Sequence, residues 1–87
     1  METLQGKLES ILSRNLADGR TELETLPNGH VCGDVISSDF AGKSYEERRK
    51  HIRNILDGAL SRDEVAQVST LLTFTPQEWA YQPREAS

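Results

Sequence analysis

Hydrophobic residues recur at helical spacing in the first part of the chain. Five of them follow the three-to-four-residue repeat that places side chains on one face of an α-helix: Leu4, Leu8, Ile11, Leu12 and Leu16. Thr3 is placed to cap the start of this helix, and Gly19 to end it in a left-handed conformation. The pattern therefore predicts a helix over residues 3–17 whose apolar face packs into a core.

The pattern then changes to the two-residue alternation that is typical of β-strands. Residues 21–26 alternate polar and apolar positions, and the turn-forming Pro27-Asn28-Gly29 precedes a return strand over residues 30–37. This order predicts a β-hairpin. Because side chains alternate between faces, the return strand is expected to divide into two sets: Val31, Gly33 and Val35 on one side, and His30, Cys32, Asp34 and Ile36 on the other.

Three later segments carry the same helix-start signal, a hydroxyl residue followed three positions later by glutamate. Ser44-x-x-Glu47, Ser61-x-x-Glu64 and Thr75-x-x-Glu78 have the spacing of capping boxes and predict helices that begin near residues 45, 62 and 76. The second predicted helix has an apolar stripe that we expect to be buried: Tyr45, Ile52, Ile55, Leu56 and Leu60. The sequence VSTLLTF between the last two starts predicts a strand. Trp79 and Tyr81 are expected to pin the last helix.

These elements predict an α+β fold with the order α-β-β-α-α-β-α. Strands one and two would pair antiparallel, whereas strands two and three, joined through helices, would pair parallel. The result is a two-layer sandwich in which helices cover one face of a three-stranded mixed sheet. The chain has 87 residues, which suits one domain over residues 1–81 and a flexible tail over residues 82–87.

Charge and cysteine content narrow the classes of function. The net charge is -4, yet residues 43–53 hold five basic side chains against two glutamates. The single cysteine excludes an internal disulfide and favours a reducing, cytoplasmic location. No apolar run has membrane-spanning length, so we expect no membrane association. We also expect a monomer when the protein is alone. The sequence contains no catalytic triad and no glycine-rich nucleotide loop, which argues against an enzyme.

Two segments carry short motifs in a definite order. VISSDFAGKSYEERRKHI, residues 35–52, contains Phe-x-Gly-Lys followed by Glu-Arg, and VSTLLTFTPQEW, residues 68–79, is a predicted strand followed by Thr-Pro-x-Glu-Trp. In both segments the chain resembles the BolA family. The resemblance implies a fold related to class II KH domains and no enzymatic activity. It also implies a partnership with a monothiol glutaredoxin in iron-sulfur or redox-linked regulation. No cofactor is expected in the protein alone, but a [2Fe-2S] cluster could be shared with the glutaredoxin.

The resemblance also indicates which residues carry that function. The family's ligand position near the start of the second strand is matched by His30, with Cys32 two residues on, so both are candidate cluster ligands. Because two ligands without a third make no closed site, the simpler expectation is a water-facing strand with an unreactive thiol. The histidine that precedes the family's last strand falls at Gln67. The family's helix histidine falls at Arg49, with His51 two residues later. Gln67, Arg49 and His51 are therefore expected to line the partner surface, although a solvated position on the helix is the simpler expectation for His51.

The basic residues around the second helix start support an alternative function. Some bacterial members of the family are DNA-binding transcriptional regulators, and here Lys43, Arg49, Lys50 and Arg53 could contact the phosphates of a nucleic acid. The same residues could instead face an acidic protein partner or simply be solvated. The chain has no Gly-x-x-Gly loop of the kind with which KH domains clamp a nucleic-acid backbone.

Overall fold

Capping and apolar periodicity place the helices and strands almost where the sequence predicts them. The computed structural model describes residues 3–81. Its elements are α1 (Leu4–Asn15), β1 (Arg20–Thr25), β2 (Val31–Ile36), a short 3-10 helix (Ser38–Phe40), α2 (Tyr45–Ala59), α3 (Arg62–Ala66), β3 (Val68–Phe74) and α4 (Pro76–Tyr81). The predicted tail over residues 82–87 lies outside the described residues.

The three predicted capping boxes are all present. In each, the hydroxyl of Ser44, Ser61 or Thr75 accepts the amide N–H of the glutamate three residues later, at 3.1–3.2 Å. The glutamate carboxylate in turn accepts the amide N–H of the capping residue, at 2.8–2.9 Å. Two otherwise unpaired amides are thus satisfied at each helix start, which is why these starts could be read from local sequence.

The sheet confirms the predicted α+β topology. Its order is β1-β2-β3, with β1 antiparallel and β3 parallel to β2. The β2–β3 pairing is interrupted: Val31 pairs with Val68, but Gly33 pairs with Leu71, so β3 has one extra residue in a bulge. β3 is therefore an edge strand whose first half is irregular.

The core lies between the sheet and the helices α1 and α2. Its buried members come from α1, β2 and α2 and from the residues that follow them: Leu8, Ile11, Leu12, Leu16, Val31, Val35, Phe40, Ile52, Leu56 and Leu60. The apolar faces predicted for the first helix and for most of the second are thus confirmed. In the described chain, no helix has the length and apolar character needed to cross a bilayer.

Three local predictions are wrong. Helix α1 ends at Asn15, Leu16 is extended with φ of -124°, and Asp18 rather than Gly19 adopts a positive φ, of 53°. Tyr45 is 53% exposed because it occupies the first turn of α2, beyond the part of the helix that faces the sheet. Tyr81 is 86% exposed and does not pin α4; that contact is made by Trp79, whose ring packs edge-on against Phe74 at 5.3 Å.

Candidate functional site

Two of the predicted site residues and the predicted partner residue Gln67 lie at one end of the sheet. The amide of Val31 donates to the carbonyl of Gln67 at 3.0 Å, which joins the start of β2 to the end of α3. His30 and Cys32 flank Val31 in the chain, and both are half-buried, whereas Gln67 is exposed. The backbone N–H of His30 donates to Asn28 Oδ1 at 3.0 Å, which fixes the turn before β2. We call His30, Cys32 and Gln67 the ligand edge.

The donor chemistry of the ligand edge suits iron only in part. An imidazole and a thiol are ordinary iron ligands, whereas the amide of Gln67 is a poor one. Cys32 is a free cysteine. Within residues 3–81, no group of three or more His, Cys, Asp and Glu side chains is arranged to hold a metal ion. The ligand edge therefore brings one imidazole, one thiol and one amide to this end of the sheet.

A pair of carboxylates lies next along the same face of the sheet. Glu22 on β1 is directly opposite Asp34 on β2, and Glu24 is directly opposite Cys32. Burial of Asp34, and secondarily the charge of Glu22, raise the pKa of the Asp34 carboxyl. The face beside Cys32 is consequently acidic and carries electrostatic repulsion.

Replacing Glu22 with glutamine is expected to stabilise the fold by about 0.5 kcal/mol at neutral pH, because like charges directly opposite one another destabilise a sheet. The raised pKa of Asp34 favours the folded state at low pH, and this advantage is lost as the pH rises through the folded-state pKa. Urea unfolding of Glu22→Gln should therefore show its largest gain above that pKa. Glu24→Gln is the matched control and should change stability little, since Glu24 faces a thiol. Equal gains in both variants would contradict the repulsion.

The helix histidine is placed away from the ligand edge. The ring of His51 packs edge-on against Phe40, with centroids 6.4 Å apart at 88°. Phe40 follows the carboxyl end of β2, whereas His30 precedes its amino end. His51 is half-buried, and its Nε2 atom is buried without a hydrogen-bond partner among the described residues. The expectation of a solvated His51 is therefore wrong, because α2 turns this position toward Phe40.

The predicted basic residues divide into two groups. Arg49, Lys50 and Arg53 line one groove between α2 and β3, with a volume of about 440 Å³. Lys43 is not part of that groove: its Nζ atom donates to the carbonyl of Asp39 at 2.8 Å and holds the loop before α2. The four predicted basic residues therefore do not form one continuous surface.

An ion pair that no sequence pattern indicated joins α2 to α4. Arg48 donates to Glu78 through both terminal nitrogens, at 2.7 and 3.0 Å, and its Nε atom donates to the carbonyl of Lys43 at 3.1 Å. The Arg48 side chain is only 12% exposed. Its hydrogen bond holds the pKa of Glu78 at about 2, helped by the backbone amide of Thr75. Arg48 is therefore a structural residue and not part of the free basic surface.

Comparison with known proteins identifies the fold. The structure is similar to that of BolA1 from Arabidopsis thaliana, with a TM-score of 0.69 and 16% sequence identity, over 90% of this chain and 98% of that one. No family model and no curated protein matches the sequence. The likeness establishes a BolA-like fold, in agreement with the two resembling segments.

Proposed function

We propose that this protein is a non-enzymatic interaction module that docks a monothiol glutaredoxin in iron-sulfur or redox-linked regulation. The supporting observation is the ligand edge on a BolA-like fold, where the hydrogen bond between Val31 and Gln67 holds His30 and Cys32 at one end of the sheet. The acidic face beside it, with Glu22 and Glu24, extends the surface that a partner would cover.

The ligand edge would hold one side of a [2Fe-2S] cluster carried by the glutaredoxin. A bound cluster supplies one-electron redox chemistry and a labile iron-sulfur unit. His30 and Cys32 would supply an imidazole and a thiolate, and the other ligands would be the partner's. The half-burial of both residues limits access of water to whatever they bind.

Gln67 makes the proposal testable by gain as well as by loss of function. It caps the end of α3 and is exposed, so its side chain can be changed without disturbing the core. The amide occupies the position at which the family resemblance places a histidine. Gln67→His should therefore add an iron ligand at the ligand edge.

The test is a titration of the full chain with a cluster-loaded monothiol glutaredoxin, followed by visible circular dichroism and by amide shifts. We expect a changed cluster spectrum and amide shifts around His30, Cys32 and Gln67. Cys32→Ser and His30→Ala should each reduce the spectral change at least about fivefold, whereas Gln67→His should enlarge it.

The second histidine of the chain is the matched control. His51 packs on Phe40 away from the ligand edge, so His51→Phe should leave the spectral change intact. Absence of amide shifts in the unmodified protein would overturn the docking. Amide shifts without any spectral change would overturn cluster ligation and leave docking alone.

A further inference from the structure

The two edges of the sheet differ in how they are protected. β1 has the sequence RTELET, and its charged residues discourage another strand from pairing with it. β3 has the sequence VSTLLTF, with no charged residue and no proline. Within residues 3–81 no strand lies on the outer side of β3. Its first half, where Ser69 and Thr70 are exposed, is therefore an open, uncharged edge.

The second half of that edge is already occupied. The carbonyl of Phe74 accepts from Ser37 N–H at 2.9 Å and so points toward β2. Alternation along the strand directs the carbonyl of Thr73 outward, where Nη1 of Arg48 donates to it at 3.5 Å. The open edge thus runs from Val68 to about Leu71, a stretch of roughly 10 Å at ordinary strand rise.

The open edge borders the groove between α2 and β3. The floor of the groove is aliphatic, from Ile52, Leu56, Val65, Val68 and Leu71. Its rim carries Arg49, Lys50 and Arg53 against the single carboxylate of Glu46. A groove between an edge strand and a helix is the arrangement in which extended peptides add to a sheet. On a chain of net charge -4, this basic rim selects an acidic occupant.

We propose that the groove binds an extended acidic peptide segment of a partner protein, which adds to the open edge of β3 as a fourth strand. Its backbone pairs with the segment from Val68 to Leu71. Alternate side chains of an added strand point to opposite faces of the sheet, so only every second side chain of the peptide faces α2. Acidic side chains at these positions meet Arg49 and Arg53, and their methylene groups lie on the aliphatic floor. These arginines are one helical turn apart, about 6 Å, close to the ~6.8 Å between alternate residues of a strand. This surface adjoins the ligand edge at Gln67 but does not include His30 or Cys32.

The composition of the groove favours a peptide over a nucleic acid. Single-stranded nucleic acids bind by stacking bases on aromatic side chains, yet no aromatic residue lines the groove. The aliphatic floor offers no hydrogen bond to a base edge, and Glu46 repels phosphate. A peptide with an acidic side chain at every second position satisfies the open backbone and the basic rim together, with its side-chain methylene groups on the aliphatic floor.

The test uses the full chain and a capped eight-residue peptide of alternating glutamate and valine, followed by amide shifts at low salt. We expect a dissociation constant on the order of 100 μM, with shifts confined to Val65–Leu71 and the groove side of α2. A peptide N-methylated at alternate backbone amides keeps its charge and side chains but loses hydrogen-bond donors. It should bind at least about tenfold more weakly, and an alternating lysine-valine peptide should not bind.

Charge variants of the protein provide the matched comparison. Arg49→Glu and Arg53→Glu should each weaken binding at least about fivefold. Arg14→Glu makes the same change of charge on α1, outside the groove, and should have less than about a twofold effect. Equal binding of the N-methylated peptide would overturn strand addition. The proposal would also fail if no peptide shifted the groove amides at about 1 mM, or if an oligothymidine bound there in place of the acidic peptide.

Discussion

Replacing Gly33 with alanine is expected to destabilise the protein by about 3 kcal/mol. Gly33 has φ of 147°, and a Cβ atom built there would lie 2.2 Å from the carbonyl oxygen of Glu22 and 2.8 Å from Cα of Leu23. Both obstacles are backbone atoms of β1, so the strands must separate to admit the methyl group. Urea unfolding of the two proteins at neutral pH measures the loss.

Gly58 is the matched control for that substitution. It lies within α2, and a Cβ atom there meets no atom within 4 Å. Gly58→Ala should therefore stabilise the protein by about 0.5–1 kcal/mol, because alanine has less backbone freedom to lose on entering a helix. If Gly33→Ala stayed within about 0.5 kcal/mol of the unmodified protein, the close approach of β1 would not be a real constraint.

Replacing Arg48 with methionine is expected to cost about 2 kcal/mol, the second large effect. The guanidinium is nearly buried and satisfies Glu78 and the carbonyls of Lys43 and Thr73. Methionine keeps much of the aliphatic stem but leaves those acceptors unpaired and releases α4 from α2. The expected loss in free energy of unfolding is smaller than for a fully buried ion pair, because the Glu78 side chain is 47% exposed and is screened by water.

The same ion pair gives the fold a predicted sensitivity to acid. The hydrogen bonds from Arg48 and, secondarily, from the backbone amide of Thr75 lower the pKa of Glu78 from 4.5 to about 2. A lowered pKa stabilises the folded state above the unfolded-state value, and that stabilisation is lost as the pH falls from about 4.5 to about 2. The unmodified protein should therefore lose stability over this window, and Arg48→Met should lose less. Parallel pH profiles for the two proteins would contradict the coupling.

Arg53 provides the control on the same helix. Its Nε atom lies 3.8 Å from Asp57, and both side chains are well exposed, at 70% and 57%. Such surface pairs contribute little, so Arg53→Met should change the free energy of unfolding by less than about 0.5 kcal/mol. Its acid profile should follow that of the unmodified protein.

For Gly33, the sequence predicted an unusual position but not the contact that causes it. A glycine inside a predicted strand indicated a bulge or a close packing contact. The bulge is present, but its extra residue is in β3, and the close neighbour of Gly33 is the backbone of β1. The unusual position could be recognised from one letter of sequence, whereas its cause depends on two strands from other parts of the chain.

The candidate site was predicted to a similar degree. The sequence and its family resemblance singled out His30, Cys32 and Gln67, and one backbone hydrogen bond brings their segments together. Neither the sequence nor the resemblance indicated that His51 packs against Phe40, or that Lys43 donates a hydrogen bond to the carbonyl of Asp39 in the loop before α2. A basic or imidazole side chain on a helix has the same local signal whether it faces solvent, a partner or the core.

The order of elements and the starts of three helices could be predicted from local sequence, because capping boxes and apolar repeats act over three or four residues. Which charged side chains form ion pairs depends on the tertiary structure. Arg48 and Glu78 are 30 residues apart, and only the packing of α4 beside α2 makes them partners. The tertiary structure also placed three other basic residues along a groove beside an open strand edge. Contacts between distant segments depend on the whole packed chain, so no short stretch of sequence encodes them.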